Sequence, residues 1–274
     1  YMNRIFRDNE LNHQMADEGY VVVNVLDSEA VQQLLAIHKN TDPVYEKGFY
    51  TSHMKRDVNY RSAIHRQVSK ILAPKVLSYL ENYKDIYGYF LVKQPGEGSE
   101  FRVHQDWAVV DESKYIGLTA WCALVDTNLA NGCLHIVKRS HLFFNNLRGT
   151  GVEFPYSEIR EEIESSTEML PVPIKAGQAV IFDHRLVHYS PANNSTTNRI
   201  VAGLVAIPEN APVVHYYRGT APDELNVYEE SEDFLIKFGY GDSVAELNLS
   251  HSLNYPHHKI TLQEWKTIYE THNP

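Results

Sequence analysis

The chain has 274 residues, 43% hydrophobic and 22% charged, with a net charge of −10. That length can bury a large core, and the acidic balance, with no basic stripe to offset it, argues against a nucleic-acid partner. Cys122 and Cys133 are too few for a disulfide framework. Both sit in apolar strand-like contexts, so free, buried thiols in a reducing compartment are expected. No apolar run approaches the roughly 18 residues of a membrane helix and no signal-peptide pattern opens the chain, so a soluble cytoplasmic protein with no membrane partner is expected. The acidic runs 158–168 and 223–233 read as solvated faces.

Residues 1–19 are polar and read as a helical lead-in. Tyr20–Leu26 (YVVVNVL) is a β-branched run and predicts a strand. Asp27 or Ser28 can then N-cap a helix to about Asn40, with Val31, Leu34, Leu35 and Ile37 on one face. Residues 48–59 (GFYTSHMKRDVN) read as an ambiguous loop. Tyr60–Tyr83 carries helical periodicity through Ile64, Val68, Leu72 and Val76, and Pro74 is expected to break or kink it.

From Ile86 the pattern changes to short strands over 86–94, 101–105, 116–125, 133–138, 172–175, 179–183, 186–190 and 199–207. Pro95-Gly96, Asn131-Gly132 and Ala176-Gly177 punctuate them. Many short strands at close spacing indicate a sandwich or barrel. The 142–170 segment interrupts them and includes a polar helical piece near 157–167, and Thr261 to Glu264 is a capping box opening a final helix to about Thr271. With no repeat and no linker, one domain over 1–274 is expected. It comprises a helical N-terminal part (1–85), a β-core of about 86–207 and a C-terminal extension (208–274).

The chemistry-bearing stretch is Phe101–Asp106 (FRVHQD). On a strand, residues two apart face the same way, so His104 and Asp106 can grip one cation together. With 14 histidines in the chain, roughly 0.7 such triplets arise by chance from composition, so the surroundings must decide. A second histidine can come from Ala179–Ser190 (AVIFDHRLVHYS), and two histidines with one carboxylate form the facial arrangement of non-haem Fe(II) oxygenases. Both His184 and His188 are available: i,i+4 neighbours on a helix, or residues sharing a face of the strand that AVIF and Pro191 favour.

Further residues sharpen the pattern. Phe90–Gly96 (FLVKQPG) precedes the triplet, and Trp121–Asp126 (WCALVD), Asn131-Gly132-Cys133-Leu134, Arg139-Ser140-His141 and the block 177–199 follow it. In this order, over 88–207, the chain resembles the phytanoyl-CoA dioxygenase (PhyH) family of Fe(II)/2-oxoglutarate-dependent oxygenases. The resemblance implies a mainly β fold with flanking helices around a double-stranded β-helix (jelly-roll, cupin-like) core. It also implies Fe(II) held by His104, Asp106 and His188, with 2-oxoglutarate and O2 as co-substrates. It selects His188, which stands just before Tyr189-Ser190-Pro191, and leaves His184 a structural or outer role.

The same resemblance assigns the co-substrate's distal carboxylate to Arg199, whose planar guanidinium can meet it bidentately, with Ser190 as hydroxyl partner. Trp121, on the same strand face as Thr119, would pack on the co-substrate; Lys93, Tyr87 and Tyr89 share a strand face and are candidates for contacting 2-oxoglutarate or substrate. Gln105 and Trp107 flank the ligands and are candidates for the substrate. So are the stretch 43–60 (Tyr45, Tyr50, His53, Lys55 and Arg56), the 142–170 insertion, and a C-terminal set with Tyr216, Tyr217, Arg218, Tyr255 and His257. Asp106 leaves no vacancy for the chloride of halogenating relatives, so hydroxylation is favoured. The expected activity is hydroxylation of an unactivated C–H bond of a small molecule (an amino-acid derivative, secondary metabolite or acyl compound), with succinate and CO2 as co-products. Desaturation, epoxidation or cyclisation by the same iron chemistry, and a non-catalytic metal-binding or sensor jelly-roll, are the alternatives. The acidic balance counts against an acyl-CoA.

Overall fold

The computed structural model describes residues 4–41, 48–221, 223–239, 242–244 and 247–273. A six-stranded antiparallel sheet runs, across its width, through β1 (Tyr20–Asn24), β8 (Gln178–Asp183), β5 (Leu118–Ala123), β10 (Arg199–Pro208), β3 (Tyr83–Lys93) and β2 (Phe49–Thr51). A four-stranded sheet faces it, in the order β4 (Phe101–His104), β9 (His188–Ser190), β6 (Leu134–Val137) and β7 (Met169–Val172). A three-stranded sheet, β11 (Val213–Arg218), β12 (Glu224–Glu230) and β13 (Leu249–Asn254), follows. The helices are α1 (Asn9–Glu18), α2 (Ser28–Thr41), α3 (Val58–Leu77), α4 (Ser140–Phe143), α5 (Arg160–Glu164), α6 (Phe234–Lys237) and α7 (Leu262–His272).

Two-residue alternation explains the layering. Every residue of β5 is buried. Leu118, Ala120 and Cys122 join Ala202 and Leu204 of β10 against Val68, Leu72 and Val76 of α3. The other face sends Trp121 and Ala123 inward, to Val180 and Phe182 of β8 and to Leu134, Ile136 and Val172 of the four-stranded sheet. A strand covered on both sides reads as continuous apolar sequence, which is why these strands lack polar alternation. Register then sets what lies beside what. Gly203 pairs with both Trp121 and Tyr89, and a Cβ there would sit 2.4 Å from the Tyr89 ring, so only glycine lets that ring lie across β10.

The structure departs from the sequence expectations at several points. α3 passes through Pro74 and ends at Leu77, while Tyr83 starts β3. Pro74 lies in the last turn, where its missing N–H removes one bond and little helix remains to be disrupted. The 48–59 stretch carries β2, one 3-10 turn at Ser52–Met54 and the start of α3. The 172–175 strand lies instead at Met169–Val172, and the 157–167 helix is a 3-10 turn at Ser157–Ile159 followed by α5. The core also draws β1 and β2 from the N-terminal part, and the C-terminal extension carries the three-stranded sheet.

AVIFDHRLVHYS is two strands in two sheets: the chain turns where Leu186 N–H donates to the Asp183 carbonyl (2.8 Å). His184 therefore sits in a turn and shares no strand face with His188. The other local expectations match. Asp27 Oδ1 caps α2 by accepting the Ala30 N–H (2.8 Å), Thr261 and Glu264 form the capping box of α7, and both cysteines are free and buried.

α7 fastens the 142–170 segment through Trp265, which is 1% exposed. Its ring stacks on Phe144 (centroids 5.1 Å) and meets Tyr156 edge-on (5.6 Å), and its indole N–H donates to the Glu168 carboxylate. Replacing Trp265 with alanine should cost about 3–5 kcal/mol in urea unfolding; a loss below about 1 kcal/mol would mean that α7 does not hold this segment.

Candidate metal centre and its two cavities

β4 and β9 place His104 directly opposite His188 in register, with ring centroids 4.1 Å apart. Asp106 follows just past the end of β4. Its backbone N–H donates to the His184 carbonyl (3.1 Å), and its own carbonyl accepts from Arg148 Nε (2.8 Å). Asp106 Oδ1 lies 3.7 Å from His104 Nε2 and 3.6 Å from His188 Nε2. One donor atom from each residue falls within 4.8 Å of the others, and these three form the cluster found among the described residues.

Hydrogen bonding sets the tautomers. His104 Nδ1 is 2.7 Å from the Arg102 carbonyl and His188 Nδ1 is 2.8 Å from the Leu186 carbonyl. A carbonyl can only accept, so each Nδ1 carries the proton and each Nε2 keeps its lone pair on the side of Asp106. Burial drives the His104 pKa down to about 3, with His188 adding to the fall and Asp106 opposing it. Burial raises that of Asp106, but His188, His184 and His104, with a 2.5 Å hydrogen bond from Thr119 Oγ1 to Oδ2, outweigh it and hold the carboxyl below its ordinary range. A carboxylate beside imidazole lone pairs, without competing protons, suits a divalent cation such as Fe(II).

The cluster stands where two cavities meet. The smaller, about 60 Å3, is walled by Trp121, Ser190 and Arg199 together with His104, Asp106 and His188. Arg199 is 1% exposed. Its Nη1 donates to the Gly132 carbonyl (2.9 Å), its guanidinium carbon lies 5.0 Å from the centre of the Trp121 ring, and its Nε is buried without a partner. Among the described residues no carboxylate pairs with it. Burial lowers its pKa to about 9, opposed by Cys133. Gly132 has φ +75°, and a Cβ there would sit 2.3 Å from the Pro191 carbonyl oxygen; the Asn131-Gly132 turn is thus obligatory for closing this end.

The larger cavity, about 620 Å3, shares His104, Asp106 and Thr119 and opens past Tyr89, Trp107 and Phe154. Its far wall is aromatic: Tyr87 stacks on Tyr89 (5.4 Å) and meets His53 edge-on (5.2 Å). His184 lines this cavity, and both of its ring nitrogens are buried without a partner.

Of the residues proposed from sequence, Arg199, Ser190 and Trp121 line the smaller cavity, Thr119 and Tyr89 line both, and Tyr87 and Trp107 line the larger. Lys93 lines neither: its Nζ donates to the carbonyls of Ser190 and Pro191 (both 2.5 Å), so it props the end of β9 that bears Ser190 instead of reaching a co-substrate. Burial, then neighbouring Arg199, lowers its pKa to about 6. Gln105 borders the larger cavity, but its amide donates to the carbonyls of Phe144 (2.8 Å) and Arg185 (2.6 Å), which makes it a tie between loops.

Arg56 is exposed and Arg218 bonds the Tyr255 carbonyl (3.0 Å) and pairs with Asp223 (3.6 Å); neither lines a cavity. Tyr45 lies outside the described residues. Of the other proposed recognition residues, His53 reaches the larger cavity, as does the 142–170 insertion through Thr150, Phe154 and Arg160. Sequence reasoning did not single out Arg160, although it is the lone cation of the 158–168 acidic run.

The family model for phytanoyl-CoA dioxygenase (PhyH) matches residues 13–201. A phytanoyl-CoA dioxygenase domain-containing protein 1 from Danio rerio is 34% identical over 119 residues, covering 41% of this chain and 40% of that protein. A phytanoyl-CoA dioxygenase from Arabidopsis thaliana is 34% identical over 116 residues, covering 40% and 39%. The match thus spans about two-fifths of the length of these curated relatives. Among solved structures, the non-heme alpha ketoglutarate dependent carbocyclase SnoK from nogalamycin biosynthesis is 21% identical at a TM-score of 0.55, covering 75% of this chain and 86% of that one. HygX from Streptomyces hygroscopicus, with nickel and 2-oxoglutarate bound, is 16% identical at 0.55, covering 74% and 88%. At these identities the likeness is one of fold, a jelly-roll core with flanking helices. Among the described residues no helix is long and apolar enough to cross a membrane.

Thr119 fixes Asp106 Oδ2 and so leaves Oδ1 as the oxygen facing the two Nε2 atoms. Thr119→Val should weaken divalent-metal affinity about 10- to 100-fold with the fold intact, read by calorimetric titration with Co(II). Unchanged affinity would remove Thr119 from the site.

Proposed function

The chain belongs to the phytanoyl-CoA dioxygenase family, and on that premise we propose that it is an Fe(II)- and 2-oxoglutarate-dependent dioxygenase that hydroxylates an unactivated C–H bond of a small molecule. The observation that carries this reading is Arg199: a guanidinium buried without a counter-ion among the described residues, in a small cavity that opens onto a His–Asp–His cluster. A dicarboxylate one side-chain length long supplies both needs at once, an anion for the arginine and donor oxygens for a metal.

His104, Asp106 and His188 would hold the iron. When bound, that metal with 2-oxoglutarate supplies O2 activation coupled to oxidative decarboxylation, which gives succinate and CO2 and leaves one oxygen atom for the substrate. The protein's share is placement. Arg199 receives the distal carboxylate of 2-oxoglutarate bidentately, with Trp121 packed against the guanidinium and the Ser190 hydroxyl donating alongside. Lys93 keeps Ser190 in position by binding its carbonyl. Bound carboxylate restores the charge balance that burial takes from Arg199, so co-substrate binding is worth more here than at an exposed arginine. The aromatic wall of the larger cavity displaces water from the substrate's side of the cluster.

Succinate formation, followed with the chain's own uncoupled turnover if no substrate is at hand, tests the assignment. Arg199→Gln should raise the KM for 2-oxoglutarate on the order of 100-fold, and Arg199→Lys should recover only part of it, because an ammonium cannot reproduce the planar fork. An unchanged KM in well-folded Arg199→Gln would contradict the co-substrate site.

A further inference from the structure

The larger cavity contains one cation that nothing among the described residues neutralises. Two arginines line it, Arg102 and Arg160. Arg102 is committed: its Nε lies 2.8 Å from Glu164 and its Nη2 3.9 Å from Glu161. Arg160 pairs with no carboxylate among the described residues, although it stands in the acidic run. Its guanidinium carbon lies 5.5 Å from the centre of the Phe154 ring, which lines the same cavity, and its Nε is buried without a hydrogen-bond partner. Glu100, the carboxylate of the cavity other than Asp106, is exposed at the rim.

The rest of the lining mixes neutral polar residues, Thr51, His53, Gln105, Thr119, Thr150 and His184, with an apolar and aromatic wall that includes Tyr87, Tyr89 and Trp107. A guanidinium lying on a ring and lacking its own acid is arranged for an anion brought from outside. A single guanidinium matches a single carboxylate; a polyanion such as an acyl-CoA would leave most of its charge unmet here. We propose that the primary substrate is a small monocarboxylate with an apolar or aromatic body, and that Arg160 receives its carboxylate while the body lies along the Tyr87–Tyr89–Trp107 wall. The proposal rests on the smaller cavity being the seat of 2-oxoglutarate. The site then handles two acids, with Arg199 selecting the co-substrate in the smaller cavity and Arg160 the substrate in the larger.

Anaerobic equilibrium dialysis of protein loaded with Fe(II) and 2-oxoglutarate tests it, using 3-[4-(trifluoromethyl)phenyl]propanoate and its primary amide as probes. The acid should bind on the order of tenfold more tightly than the amide. Arg160→Gln should erase that preference, Arg160→Lys should keep part of it, and Arg102→Gln should leave it intact. Equal binding of acid and amide, retention of neither probe, or a preference that survives Arg160→Gln would overturn the inference. Retention of 2-oxoglutarate is read in the same cells. If it is retained while the preference is absent, this inference alone fails; if it is not retained, the co-substrate assignment fails and takes this inference with it.

Discussion

Arg199 is almost wholly inside the protein, and among the described residues its guanidinium meets a carbonyl and an aromatic face and pairs with no carboxylate. Removing such a charge from water without pairing it costs several kcal/mol, a cost that a stable fold tolerates where a ligand returns the missing anion. Much of the surrounding architecture follows from holding that group in place. Trp121 must point inward from a strand whose other face is covered by α3, Gly132 must turn at positive φ to present its carbonyl, and Lys93 must be turned away onto the Ser190 and Pro191 carbonyls. Two cations on paired residues, Lys93 and Arg199, would otherwise repel in the same buried space. The fall in the Lys93 pKa to about 6 relieves that repulsion.

The metal cluster is equally a product of register. His104 and His188 meet because β4 and β9 pair antiparallel at that position, and carbonyls two residues before each histidine fix both imidazoles in the same tautomer. Asp106 is positioned through its backbone by His184 and Arg148 and through its side chain by Thr119. The donors are thus held by neighbours that would not themselves touch a metal. The cluster sits on the boundary between a narrow cavity with a charged end and a wide one with an aromatic wall. That asymmetry separates a co-substrate of fixed shape from a substrate that the wide cavity selects.

Much of this was legible in the sequence because it follows from alternation. Thr119, Trp121 and Arg199 fall on inward faces of strands whose period of two can be counted directly, and the order of motifs from Phe90 to Arg199 carried the family resemblance. The failures have physical causes. The strands 179–183 and 186–190 were legible, but no glycine or proline marks the turn from Asp183 to Leu186 that sends them into different sheets, so residues alone left His184 and His188 equivalent. Lys93 shares its strand face with Tyr87 and Tyr89, but alternation cannot tell that its long side chain bends to a neighbouring loop's carbonyls. Pro74 was expected to break a helix that was already ending. Arg160 looked like one more charge on a solvated face. Its apposition to Phe154 and the metal cluster depends on α7 and Trp265, far away in sequence, holding the 142–170 segment against the core.

The most direct measurement of the central claim is the anaerobic absorbance spectrum of the protein with Fe(II), before and after adding 2-oxoglutarate. A weak visible charge-transfer band should appear only with 2-oxoglutarate and be lost in His188→Ala. A well-folded, iron-loaded protein that gives no such band would contradict the claim, and would leave the chain a jelly-roll that shares the family's architecture without its co-substrate chemistry.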